Sequence, residues 1–264
     1  MLLCVVHNNE RVRLDYLLPR LERLSGFQVC LIGPDASGMA EHVLTDTVAN
    51  RVRRAKDLAD TATACRDPRK KGRPSWLRFF LREIRSRRRI KIEQEVMEAH
   101  KLCWQRCADD GTFAVVLESD ARFQPHTEVA LGQLLRAVEA AYSPKTALFA
   151  DLAGGCDRQA IAGARFFDPV CGYRQIAMTE SDAVQFELLP EWTGNTVCGY
   201  LLSARFARLL LAEAQARPVL LPPDWAMNAF SRRNAEIRDA VCIHSTPTIF
   251  TQGSMDGSYE SGIG

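Results

Sequence analysis

The stretch Phe113–Phe123, FAVVLESDARF, sets an apolar run directly before two carboxylates, Glu118 and Asp120. The run reads as a buried strand. A strand that ends in acidic residues at the rim of a parallel sheet can hold a divalent cation against a phosphorylated ligand. In extended backbone, residues i and i+2 share a side, so Glu118 and Asp120 are expected to face one site while Ser119 turns away. Two oxygen ligands leave most of a hard cation's shell open to water and diphosphate oxygens. The plainer alternative is a core strand that emerges into an acidic turn.

Working outward, Leu2–Val6 reads as a first strand with the loop Asn8–Arg11 at its carboxyl end. Asp15–Leu24 has helical spacing, with Pro19 expected in its first turn or at a kink. Val29–Ile32, closed by Gly33-Pro34, completes the opening of a β-α-β unit. Ile90–Cys107 carries a core stripe of Ile92, Val96, Ala99, Cys103 and Cys107, with His100 and Trp104 one turn apart beside it. Beyond the acidic strand, Pro125-His126-Thr127 opens a helix over Glu128–Ala141, and Ala147–Leu152 resembles another strand. Gly154–Trp192 lacks a long periodic element and reads as one side of a cleft or as connecting structure. Val197–Ser203 feeds a helix over Ala204–Ala216 that Ser203 is placed to cap. Pro222-Pro223-Asp224-Trp225 marks a turn before a short helix through Phe230, and Ala240–His244 is the last strand. This alternation predicts an α/β fold around a mostly parallel central sheet.

A chain of 264 residues, 47% hydrophobic, can bury a full core, so residues 1–264 are read as one domain. Its balance of 34 basic and 32 acidic residues gives no strong overall field. Charge is concentrated locally, because residues 66–91 hold 12 Lys or Arg and two acids. That segment reads as a basic linker or inserted surface segment, in which Ser75–Ile84 has the pattern of a helix bearing Trp76, Phe79 and Phe80. Residues 253–264 read as a flexible tail. The nine cysteines are odd in number and form no CxxC pair, which points to free thiols in a reducing compartment. MLLCVV is too short for a signal-peptide core, and no apolar run approaches membrane-spanning length. A cytoplasmic protein is expected, with the basic segment available for peripheral contact with the anionic inner face of a membrane.

Several short motifs recur in a recognisable order. They are the strand and loop Val5–Arg13; Glu93, His100 and Trp104 at Glu-x(6)-His-x(3)-Trp spacing; Val116-Leu117-Glu118-Ser119-Asp120; Gly199–Ser203 with Ala207 beyond; Pro222-Pro223-Asp224; and Pro247 with Gln252 and Ser258. Together they resemble glycosyltransferase family 25, which includes bacterial lipooligosaccharide galactosyltransferases and collagen-modifying galactosyltransferases. The chain departs from that pattern at Glu95, Val96 and Ala99, where the family commonly has Gly, Cys and Ser, and at Ser119, where it has a second acid.

The resemblance implies a GT-A-like, Rossmann-type nucleotide-sugar-binding domain. The implied activity is inverting transfer of a hexose, foremost galactose from UDP-galactose, to a glycan or glycolipid acceptor, as in lipopolysaccharide biosynthesis. Asp120 and Glu118 would hold Mn2+ or Mg2+, and Glu118, Asn8, Arg11, His100, Tyr200 and Gln252 would surround the nucleotide sugar. Asp224 is the leading general base beside a catalytic Asp120, with Asp151 and Glu191 as rivals. Asp224 is equally suited to cap the helix that follows it. A nonenzymatic alternative uses Arg85, Arg87, Arg88, Arg89 and Lys91 to bind nucleic-acid phosphates or an anionic surface. Nucleic acid is the less favoured partner, because no zinc finger or RNA-binding motif accompanies the run.

Overall fold

Runs of Val, Leu and Cys that are buried on both faces make the central strands, and this pattern is what a sheet covered by helices on each side requires. The computed structural model describes residues 1–33, 76–153, 174–176, 185–189, 197–216, 222–246 and 248–253. Strand β1 (Leu2–Val6) leads through helix α1 (Arg11–Leu21) to β2 (Gln28–Ile32), and helix α2 (Trp76–Asp110) leads to β3 (Phe113–Glu118). Then come β4 (Ala121–Phe123), α3 (Thr127–Ala141), β5 (Leu148–Asp151), β6 (Arg174–Ile176), β7 (Gln185–Leu189) and β8 (Gly199–Ser203). Helices α4 (Ala204–Ala216), α5 (Pro223–Ser231) and α6 (Ala235–Arg238) precede β9 (Val241–Thr246) and β10 (Phe250–Gln252).

Eight strands form one mixed sheet in the order β2-β1-β3-β8-β5-β9-β7-β6, and β4 pairs with β10 in a second sheet. Six of the eight run in one direction, while β8 and β7 run against them. The sheet is therefore mostly parallel by strand direction, yet three neighbouring pairs are parallel and four antiparallel. Reversal of β8 has a direct consequence for the site. Tyr200 pairs with both Val116 and Asp151, so the start of β8 lies where β3 and β5 end.

Side-chain alternation divides the core into two layers. On one face Cys4, Val6, Val116, Tyr200 and Leu202 pack with α2, α4, α5 and α6. On the other, Leu3, Val5, Val115, Leu117 and Leu201 meet Leu17 and Leu21 of α1 and Leu131, Leu134 and Val138 of α3. Each fully buried Leu or Val contributes about 1.5–3 kcal/mol relative to exposure.

Three local expectations need correction. Residues 76–91 belong to one 35-residue helix, which joins the two separate helices expected over Ser75–Ile84 and Ile90–Cys107; residues 66–75 lie outside the described residues. From Trp76 to Asp110 the sequence has neither Gly nor Pro, and Lys and Arg are good helix formers. Gly111, at φ +66, then ends the helix in the left-handed conformation that glycine adopts cheaply. Pro19 sits in the last part of α1, not its first turn, because that helix begins at Arg11. Ser119 and Asp120 form a turn, so strand alternation does not bring the two acids together.

Among the described residues, no helix is long and apolar enough to cross a membrane. The tail expected over residues 253–264 lies outside them except at Gly253, as does nearly all of Gly154–Trp192 beyond β6 and β7.

Candidate functional site

Parallel pairing brings the carboxyl ends of β1 and β3 side by side, with Val6 opposite Glu118. The backbone turns at once. Ser119 N–H donates to the Val6 carbonyl at 2.8 Å, and Gly253 N–H donates to the Asp120 carbonyl at 2.8 Å. These bonds tie the acidic turn to the first strand and to the residue following β10. Glu118 N–H donates to the Cys198 carbonyl, also at 2.8 Å, which brings the approach to β8 onto the same rim.

The result is a compact group. One ligating atom from each of Glu118, Asp120 and Cys198 lies within 4.8 Å of the other two. Cys198 Sγ donates to Asp120 Oδ1 at 3.4 Å. Burial, followed by the negative charges of Asp120 and Glu118, pushes the Cys198 thiol well above its ordinary range. The thiol is thus a donor to the Asp120 carboxylate, and two of the group's three side chains offer hard oxygen atoms. Two carboxylates at this spacing suit Mg2+ or Mn2+ better than a thiolate-seeking metal.

Glu118 is also held through one of its oxygens. His100 Nε2 is 3.2 Å from Glu118 Oε1, and His100 Nδ1 is 2.7 Å from the Tyr200 hydroxyl oxygen. That hydroxyl oxygen accepts from Trp104 Nε1–H at 2.9 Å. His100, Trp104 and Tyr200 are fully buried, whereas the Glu118 side chain keeps 24% of its surface exposed. Burial above all raises the Tyr200 phenol well above its usual pKa and keeps it protonated. Its ring also stacks at 5.7 Å on His100 and at 5.5 Å on Phe149.

The remaining candidates take different places on the scaffold. Asn8 and Arg11 follow β1 on the rim beside Glu118, where Asn8 Nδ2 donates to Glu10 Oε1 and Arg11 pairs with Asp15 across exposed helix surface. Neighbouring Asn9 adopts φ +64, and Gly33 leaves room for His7: a Cβ at Gly33 would fall 2.6 Å from His7 Cε1. Gln252 ends β10 opposite Ala121, adjoining the Asp120 turn. Asp224 lies half-buried in the first turn of α5 and is not a member of the Glu118–Asp120–Cys198 group. Asp151 ends β5 buried, with His244 Nδ1 3.2 Å from its Oδ2 but not aligned for a hydrogen bond. Glu191 lies outside the described residues.

Sequence reasoning missed Cys198 as a member of this group. It lies 78 residues beyond Asp120, and an isolated Cys-Gly-Tyr carries no metal-site spacing. Only the reversed strand β8 brings it there. Neither a protein-family model nor a curated protein sequence matches the chain. The resemblance to glycosyltransferase family 25 thus rests on its short motifs.

Proposed function

We propose that this protein is a metal-dependent hexosyltransferase of GT-A-like fold, with UDP-galactose as its foremost donor and a glycan or glycolipid as acceptor. The observation that carries this reading is the convergence of Glu118 and Asp120 at the carboxyl end of β3, with Glu118 bonded to buried His100. An oxygen-rich pair beside an open shell fits Mn2+ or Mg2+, and such a cation neutralises charge developing on a diphosphate leaving group.

The chain's own residues supply the rest. Asp120 and Glu118 would hold the cation that bridges to the diphosphate end of the donor, and Asn8, Arg11 and Gln252 line the same rim for the nucleotide. His100 and Tyr200 act on the donor through Glu118. In an inverting transfer, the acceptor oxygen bonds to the anomeric carbon as the bond to UDP breaks, and a carboxylate accepts the acceptor proton. Asp224, in the first turn of α5, is the proposed base.

The test is UDP release from a panel of UDP-hexoses with Mn2+, Mg2+ or chelator, coupled to mass measurement of an acceptor extract. Metal-dependent release and an acceptor mass gain of one hexose are expected. Failure to bind UDP or any UDP-sugar with metal present sinks the reading. It would favour the alternative in which the basic half of α2 engages an anionic surface, since residues 76–91 place seven Lys or Arg on one helix.

A further inference from the structure

The hydrogen bonds around Tyr200 permit only one arrangement of protons that leaves every buried donor satisfied. Trp104 Nε1 can only donate, so the Tyr200 oxygen accepts from it. The Tyr200 hydroxyl then needs an acceptor, and among the described residues His100 Nδ1 is the atom within reach, at 2.7 Å. If Nδ1 accepts, the proton of neutral His100 resides on Nε2, which faces Glu118 Oε1 at 3.2 Å. Each donor has one acceptor. Reversing the middle bond would put a proton on Nδ1 and leave the hydroxyl proton buried without a partner, the costly arrangement in a low-dielectric interior.

We infer that Trp104, Tyr200 and His100 form a one-way hydrogen-bond relay whose output is the orientation of Glu118. Trp104 donates to Tyr200, Tyr200 to His100 and His100 to Glu118 Oε1, so Oε2 is presented to whatever the carboxylate binds. His100 and Tyr200 are positioning residues. Helix α2 supplies two members and the reversed strand β8 the third, so the relay couples the helical layer to the rim. That Oε2 meets a cation rests on the transferase reading; the order of the bonds does not.

The experiment uses full-length protein labelled with 15N-histidine and 13C-glutamate. In the wild type, the His100 resonances should report a bare Nδ1 and a protonated Nε2. A proton on Nδ1, in either the neutral or the doubly protonated ring, overturns the relay. Tyr200→Phe keeps the ring and removes the hydroxyl. It should shift the Glu118 carboxyl resonance while leaving exposed Glu139 unmoved, and weaken Mn2+ binding about tenfold, the lower end of losses seen when a ligand's supporting partner is removed. An unshifted Glu118 resonance overturns the positioning role. If Tyr200→Phe does not fold, the wild-type tautomer alone decides.

The two readings fail separately. A wild type with the Nε2–H tautomer that takes up no Mn2+ keeps the relay and loses the transferase. Mn2+ uptake with a proton on His100 Nδ1 does the reverse.

Discussion

The two faces of the central sheet use the same strands for different purposes. Toward α1 and α3, the strands present Leu3, Val5, Val115, Leu117 and Leu201 to Leu and Val side chains. Toward α2 and α4 they present Cys4, Val116, Tyr200 and Leu202, and this layer also receives buried His100 and Trp104. Along β3 the second face runs Ala114, Val116, Glu118, so it is apolar in the interior and acidic where the strand ends. The first face is mostly apolar, with Cys198 as its one contribution to the acidic group. The second also buries His100, Trp104 and Tyr200, whose polar atoms are paired with one another, because an unpaired donor there costs as much as several buried methylenes gain.

The largest expected effect breaks chemistry and spares the fold. Asp120→Ala removes one of the two proposed oxygen ligands and, on the transferase reading, should lower metal-dependent UDP-hexose turnover by about a thousandfold, equivalent to about 4 kcal/mol of activation free energy. Denaturant unfolding should keep its slope, as expected when compactness is unchanged. Residual turnover within a few-fold of wild type would remove Asp120 from the reaction. Leu134→Ala, on the apolar face, reverses the pattern. Leu134 is fully buried, so truncation should cost about 2–5 kcal/mol of stability. The folded fraction should bind Mn2+ as the wild type does; a loss of affinity would show that the faces are not separable.

Sequence made the first face legible and the second only in part. Strand β1 and helix α4 occupy the expected residues, because continuous apolar runs and helical periodicity are local signals. Ser203 caps α4 as expected, its Oγ accepting from Phe206 N–H at 3.2 Å. Helix was legible over Ser75–Ile84 and Ile90–Cys107 too, but not the continuity of 76–110, which the absence of Gly and Pro permits. The Glu118–Asp120 convergence was anticipated for a different reason: a turn accomplishes it, where strand alternation was expected. Local pattern could not supply the bond between His100 and Tyr200, 100 residues apart, nor the approach of Cys198 to Asp120. Both depend on β8 running antiparallel between β3 and β5, and direction within a sheet is not written in any single strand.

A smaller effect is read through pH. Cys103 and Cys107 belong to the polar-bearing layer, and burial above all raises both thiols, Cys107 from 9.0 to about 12. An unfolded thiol loses its proton near pH 9 while the folded Cys107 retains it, so in this window the native state binds more protons. Stability is then fully present below pH 9 and falls as pH rises toward 12, by roughly 1.4 kcal/mol per pH unit for each such thiol. Urea unfolding at pH 8, 9, 10 and 11 measures the slope. Cys107→Ala should make it shallower by one thiol's share, whereas Leu134→Ala should lower stability at every pH and leave the slope intact. An equal slope in wild type and Cys107→Ala would show that this thiol titrates alike in both states.

The smallest structural effect belongs to the rim itself. Arg11 has a side chain 91% exposed and lies 3.6 Å from Asp15 in an i,i+4 pair. Such solvent-screened pairs contribute less than about 1 kcal/mol, so Arg11→Ala should leave the unfolding midpoint nearly unchanged. UDP affinity is the informative readout, because a guanidinium on the loop after β1 can bond diphosphate oxygens without any role in packing. Calorimetric titration with UDP and Mn2+ should show weaker binding for Arg11→Ala, and the loss should shrink as salt rises because the interaction is exposed. Unchanged affinity would take Arg11 out of the proposed nucleotide site. A large loss of stability would instead show that this rim holds the fold together, and the division between an apolar face that stabilises and a rim that binds would fail at β1.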